Sequence, residues 1–480
     1  MRKYRILLCM LLIMGISSCD KFLNVTPKNV ISMDDMESIK KALAGFLNNI
    51  ANARSGITGK DIPWSPFGYI YGGLMDYTTE VDLSRLPEKE FTDDEVRRAD
   101  WRSTSTQSFW GSFYGPIGLM NLIIHESATA TGEEDMRDYV MGEAYVIRAY
   151  CFFKLVQFYA PYKDNQLGIP VCLETYEDFE DVSVKRSTQK EVYAQILSDI
   201  HEAEIRLART NSRGAFNIMY ASSVINRLLA QIYHFKALSA AAAPDDWTKA
   251  ILYASKETTG KKLESNPAAL KKIFKPNSQP VLNDAECALR VYTEGSGFSG
   301  TMQGLVFDQS FYQTYFPADE GDIRRDLYFK VSGNNLQCDK YSTFSDYWNI
   351  YWYYTHFGFR LAETFLIQAE ALVMSDQLPE AKEILTKFKQ ARYTQVFTIP
   401  EGREALLQDI YRERRKEFVA EGDVSWLDMK RLGVIAEREI GGITFKLTGE
   451  GDYRYTFPIP QSEIKLNKEI WQNPGWILND

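Results

Sequence analysis

Apolar residues in this chain change their spacing from one stretch to the next, and those changes predict its elements. Residues 6–16 are almost all apolar, with Gly15 the small exception. A run this short falls below the roughly eighteen residues a spanning helix needs and matches the apolar part of a secretory leader. Beyond it, apolar positions recur three and four residues apart, the period of a helix with one buried face. This spacing predicts helices over residues 34–53, 107–128, 135–160, 187–209, 218–242, 245–259, 359–374, 378–393 and 402–420. Pro161 is expected to stop the 135–160 helix, and Ser187 to cap the 187–209 helix with Lys190 and Glu191 in its first turn. Residues 54–100 and 260–357 lack the helical period. They read as loop-rich inserts with short strand-like runs such as residues 289–293, and the chain after residue 420 reads as loops ending in QNPGW. The fold class is therefore mostly α, with two long irregular inserts and a few short strands.

Two pairs of helices look like repeats. In AETFLIQAEALVMSDQLPEAKEILTKF, Ala369 and Ala381 stand twelve apart, Leu372 follows the first, and Leu385 and Phe388 follow the second. Small residues that let antiparallel helices approach, with bulky ones filling the groove, form the tetratricopeptide pattern. NRLLAQIYHFKAL followed by WTKAILYAS is similar, with a longer turn. Such hairpins predict a tetratricopeptide-like helical scaffold rather than a set of unrelated helices.

Composition narrows the function. The leader has a basic start in Arg2, Lys3 and Arg5, and it ends in Ser17, Ser18 and Cys19. Small residues followed at once by a cysteine resemble a bacterial lipobox, in which the thiol is acylated, with palmitate for instance, and becomes the first mature residue. Residues 1–18 then read as signal peptide, 19–29 as a flexible tether and 30–480 as one body. The net charge of −9 argues against nucleic acid or anionic lipid as the main ligand. Of six cysteines, Cys9 and Cys19 lie in the leader. Cys151, Cys172, Cys287 and Cys338 are too scattered for a metal site or a disulfide scaffold; one bridge is compatible with the sequence, and Cys151 reads as a buried thiol. His125, His201, His234 and His356 offer no paired spacing for zinc, and TDDE (residues 92–95) reads as a solvated acidic loop. GSGFSG (residues 295–300) matches a dinucleotide fingerprint without its strand–turn–helix setting. No cofactor or metal is expected. RERRKEF alternates charges along a helix and reads as a salt-bridged face.

Six segments taken together resemble the SusD/RagB family. They are CDKFLNVTPKN (19–29), WGSFYGPIGLMN (110–121), GEAYVIRAYCFFKLVQFYAP (142–161), FRLAETFLIQAEAL (359–372), RERRKEFVAEGDVSWLDMKRLG (412–433) and YTFPIPQSEIKLNKEIWQNPGW (455–476). Val424, Ser425 and Trp426 lengthen the family's usual glycine–aromatic step, which is expected to alter a turn only. The resemblance implies an N-terminal segment over about residues 30–260 and a C-terminal one over about 280–480. It also implies a surface-exposed outer-membrane lipoprotein that captures oligosaccharide and works with a SusC-like TonB-dependent transporter in nutrient uptake. Asp20 and Lys21 are a minimal version of the family's surface-targeting start.

Aromatics make up 13% of the chain, and sugars present apolar C–H faces that aromatic rings cover while carboxylates and arginines hold hydroxyls. YSTFSDYWNIYWYYTHFGF (residues 341–359) holds ten aromatics in nineteen residues, among them Trp348, Trp352 and Tyr354. The early insert holds Trp64, Phe67, Tyr69, Tyr71, Asp76 and Tyr77, then Asp100, Trp101 and Arg102. These two regions supply the ligand-binding candidates Trp101, Asp76, Arg102, Trp64, Tyr71, Trp348, Trp352 and Tyr354. Trp101, set between an aspartate and an arginine, leads them, because a tryptophan in a polar loop is poorly explained as core. The expected function is non-catalytic glycan capture; the alternatives are capture of peptides, as in RagB-like members, and glycan hydrolysis.

Overall fold

The computed structural model describes residues 33–51, 78–81, 107–175, 184–210, 222–274, 286–294, 305–340, 344–346, 349–419, 421, 424–440 and 443–476. The first half runs α1 (Met36–Ala51), β1 (Thr78–Val81), α2 (Gln107–Ser127), α3 (Glu134–Tyr159), α4 (Gln189–Arg209), α5 (Ser222–Lys236) and α6 (Asp246–Thr258). α3 is its axis. It packs between α2 and α4, and 20 of its 26 residues are buried, so it has no polar face to show. Its one deep cation, Arg148, is held by Asp199 of α4 at 2.9 and 2.6 Å and by Asn121 of α2 at 2.9 Å. The cap of α4 is Thr188 and not Ser187: a capping box needs its glutamate three residues on, and Glu191 stands there relative to Thr188.

The second half begins with α7 (Pro267–Phe274), β2 (Cys287–Glu294), β3 (Leu305–Phe307), α8 (Gln309–Tyr315), α9 (Arg324–Tyr328), β4 (Phe329–Ser332), β5 (Asn335–Cys338), β6 (Phe344–Asp346) and β7 (Asn349–Arg360). The 260–357 insert is thus less irregular than its sequence suggests. Its helices have eight, seven and five residues, too few to display a repeated helical period. The strands form a four-stranded sheet in the order β1–β3–β5–β4 and a three-stranded one in the order β2–β7–β6. Strand β1 brings the early insert into the same sheet as residues 305–338.

Next come α10 (Leu361–Met374), α11 (Leu378–Gln390), α12 (Arg403–Glu417), α13 (Val424–Leu432), the hairpin β8 (Ile435–Ile440) and β9 (Ile443–Thr448), and α14 (Gln461–Leu466). The α10–α11 hairpin is the tetratricopeptide-like pair read from the sequence. Ala369, Leu372, Ala381, Leu385 and Phe388 are all buried in one core that α12 closes with Leu406 and Ile410. The stretch after residue 420 departs from the expected loops. Val424, Ser425 and Trp426 begin α13 and so do more than alter a turn: Trp426 is fully buried, its ring centroid 5.2 Å from that of Tyr455. Gly433 ends α13 in the left-handed conformation (φ 59°), where a Cβ would come within 2.9 Å of the Glu450 backbone nitrogen. The chain then returns to the first half, where the Phe457 amide donates to the Phe158 carbonyl at 2.8 Å. Cys151 and Cys172 are free thiols, and burial pushes the Cys151 thiol well above the usual range.

Candidate functional site

β7 carries the aromatic-rich stretch directly into α10, and the junction is fixed by buried charge. Phe359 adopts φ 54°, a strained conformation for a residue with a side chain. Its carbonyl accepts from Arg227 Nη1 at 2.6 Å, and Arg227 is held in turn by Glu257 at 3.1 Å. Arg360, the next residue, sits on Glu417 at 2.5 Å and Glu421 at 2.6 Å. Glu417 also receives Arg392 at 2.9 Å, and Arg324 joins the same cluster through Asp322 and Glu413. Burial pushes the Glu417 carboxyl up, but Arg392 and Arg360 outweigh it and hold that carboxyl well below the usual range. The charges of RERRKEF are therefore salt-bridged as expected, but Glu413, Arg414, Lys416 and Glu417 are buried rather than on a solvated face. The network clamps one end of β7 to the helical scaffold.

From that clamp β7 extends along β2, with Tyr354 opposite Thr293 and Tyr353 opposite Glu294. At about 3.3 Å per residue, Tyr354 lies roughly 20 Å from Arg360 and Trp352 roughly 26 Å. Trp352 and Tyr354 are thus on β7, where only the backbone is described. Trp64, Tyr71, Asp76, Trp101, Arg102, Trp348 and Cys19 lie outside the described residues.

A second buried cluster joins α5, α10 and α13. Glu370 accepts both guanidinium nitrogens of Arg431, at 2.6 and 2.9 Å, and faces His234 Nε2 at 2.8 Å. A histidine beside a carboxylate invites an acid–base reading, but the geometry opposes it. Burial pushes the His234 imidazole down to about 4, against the pull of Glu370, and Glu370 itself is held well below the carboxylate range by Arg431 and His234 despite burial. The adjoining cavity measures about 40 Å³, room for a water or two and not for a sugar. The cluster ties three helices together. Lys430 does similar work one residue earlier, donating to the carbonyls of Gln157 and Ala160 at the end of α3 at 2.6 and 2.8 Å, while burial lowers its ammonium to about 7.

A much larger cavity has none of the sequence-derived candidates among its described lining residues. This groove of about 540 Å³ runs between α8, α12 and α13, lined by Tyr315, Tyr411, Arg412, Arg414, Arg415 and Asp428 among others. Its sequence signal is legible in principle: Gln408, Tyr411, Arg412 and Arg415 recur at three, four and seven residues, one face of α12. The clustered charges of RERRKEF mask it, because one helix carries a buried ionic face and a groove-facing one.

Comparison with known proteins agrees with this architecture. Residues 21–253 match the family model described as "Starch-binding associating with outer membrane", and residues 284–476 match the model described as "SusD family". The SusD-like protein P38 of Formosa agariphila is 25% identical over 490 aligned positions, covering 89% of this chain and 91% of that protein. A SusD superfamily protein of Bacteroides thetaiotaomicron superposes with a TM-score of 0.69 at 21% identity, covering 92% of this chain and 100% of that one. A SusD-like carbohydrate binding protein of Bacteroides vulgatus gives 0.65 at 18% identity, over 91% and 97%. With family models matched across both halves, a relative aligned nearly end to end and the same helical scaffold, this chain belongs to the SusD family.

Proposed function

We propose that this protein is a cell-surface lipoprotein of the outer membrane that captures oligosaccharide and delivers it to a SusC-like TonB-dependent transporter. In this reading residues 1–18 are removed as a signal peptide, acylated Cys19 holds the membrane, residues 19–29 are the tether and residues 30–480 form one body. Family membership over nearly the whole chain carries the proposal. The clamped aromatic strand supports it, since a sugar platform works best when its backbone is fixed before the ligand arrives. Trp101, Trp64, Tyr71, Trp348, Trp352 and Tyr354 would stack on sugar faces, with Asp76 and Arg102 holding hydroxyls.

The test is a polysaccharide panel against the purified protein. Capture predicts binding without new reducing ends; new reducing ends would make the protein a hydrolase, and binding of peptides alone would make it a peptide-capturing member. Stacking on one exposed tryptophan is worth on the order of 1–2 kcal/mol at about 25 cal/mol per Å². Trp101→Ala should therefore weaken glycan binding about tenfold and leave the melting temperature nearly unchanged. A buried tryptophan would instead cost about 3–5 kcal/mol of stability on truncation, so calorimetric titration and a thermal melt on one variant separate the two roles.

A further inference from the structure

We propose that the groove between α8, α12 and α13 is a second ligand site, selective for a sugar ring that bears an anionic substituent, either a carboxylate or a sulfate. The inference rests on saccharide capture only for the sugar that carries the charge; the anion preference comes from the groove itself.

In a protein of net charge −9, the described lining of this groove carries three guanidiniums, of Arg412, Arg414 and Arg415, against the single carboxylate of Asp428. That carboxylate is already committed, accepting Arg414 Nε and Arg431 Nε at 2.7 Å each. The cations are arranged rather than loose. Arg415 and Arg412 lie 4.7 and 5.1 Å from the centroid of the Tyr315 ring. A guanidinium stacked on a ring still donates along its edge, the geometry that carboxylate and sulfate oxygens accept. Arg412 also donates to the Thr314 carbonyl at 2.7 Å and stands 3.7 Å from Glu320, a half-exposed pair weak enough for a ligand to compete with. Arg414 is 3% exposed, and its Nη1 has no hydrogen-bond partner among the described residues. It lines both this groove and the neighbouring 40 Å³ cavity.

The rest of the lining suits a sugar ring more than a bare ion. Met429, Leu432 and Val434 add apolar surface for the C–H face, and Gln408 and Ser425 supply hydroxyl partners. A volume of about 540 Å³ is in the range of small-molecule sites. A small inorganic anion would leave most of the apolar lining uncovered, and a neutral sugar would bring no charge to meet the Arg414 Nη1 that lacks an acceptor among the described residues.

The experiment is calorimetric titration of the full chain with a hexuronate disaccharide, a sulfated disaccharide and their neutral counterpart. At least one charged sugar is expected to bind about tenfold or more tightly than the neutral one. That preference should shrink as salt rises from about 0.1 M to about 1 M, where screening shortens from ~10 to ~3 Å. Arg412→Gln should erase it, and so should Gln408→Glu, which sets a carboxylate at an exposed position in the same lining without touching the core; matched melting temperatures confirm that both variants fold. Which charged sugar is preferred identifies the substituent. Equal affinity for charged and neutral sugars, or a preference that survives both variants, overturns the site. Because neutral sugars report on capture separately, their binding with no anion preference sinks this inference alone, whereas binding of no saccharide sinks the capture reading as well.

Discussion

His234 shows how a residue that resembles catalytic machinery acts on stability instead. It is buried against Glu370 and surrounded by the cations Arg431 and Arg414, so its imidazole is neutral at pH 7, with burial lowering its proton affinity to about 4. An unfolded histidine takes up its proton near 6.5. Between those two values the unfolded chain binds a proton that the folded one refuses, so stability falls as pH drops from about 6.5 to about 4. A tenfold difference in proton affinity is worth about 1.4 kcal/mol, which bounds the loss at roughly 3 kcal/mol. His234→Gln keeps a hydrogen-bond donor for Glu370 and removes the titration. Denaturation midpoints measured across that range should be flatter for the variant than for the parent protein. A protonated His234–Glu370 ion pair would produce the reverse, with stability lost as pH rises, and that result would refute the neutral assignment.

At the scale of elements, the N-terminus of α4 shows both what the sequence revealed and where it misled. The helical period placed α4 correctly, but period alone does not choose between adjacent Ser187 and Thr188 as the cap. The choice is made by Glu191, whose side chain accepts from the Thr188 amide at 2.7 Å while the Thr188 hydroxyl accepts from the Glu191 amide at 3.2 Å. Thr188→Ala should therefore cost about 1 kcal/mol, and Ser187→Ala close to nothing on the cap's account; equal losses in urea denaturation would mean that the box contributes no more than its neighbour. The same contrast runs through the molecule. The long helices were legible because each repeats its apolar face several times, and Ala369 and Ala381 betrayed the α10–α11 hairpin because only small residues allow that approach. In residues 260–357 the strand-like run 289–293 did foretell β2, but the short helices and the other short strands were not legible, since they are fixed by partners distant in sequence, as β3 is by β1. The groove on α12 was hidden for a related reason. Spacing assigns residues to a face, but only tertiary packing shows that Glu413 and Glu417 are sealed beneath arginines while Arg412 and Arg415 border a groove. Of the ligand-binding candidates, Trp352 and Tyr354 stand on a clamped strand, and the others lie outside the described residues.

For the whole molecule the decisive relation is between the body and the proposed N-terminal tether. α1 docks on the first-half core through Met36, Ile39, Leu43 and Leu47, all buried, and the Met36 amide donates to the Thr131 carbonyl at 2.8 Å. The described fold is thus already secured at its N-terminal edge by side chains that follow residue 35. An acyl chain contributes about 0.8 kcal/mol per buried methylene, so stable anchoring needs more than one chain, and a lipidated cysteine would supply them. Among the described residues no helix is long and apolar enough to cross a membrane, so none of them offers a helical substitute for that anchor. Cys19→Ala should therefore move the protein from the membrane fraction to the soluble one after a carbonate wash. The released protein should melt at the temperature of the anchored body and bind the same saccharides. Retention of the variant in washed membranes would show that the hold lies elsewhere in the chain, and release accompanied by a lowered melting temperature would show that the tether contributes to the fold.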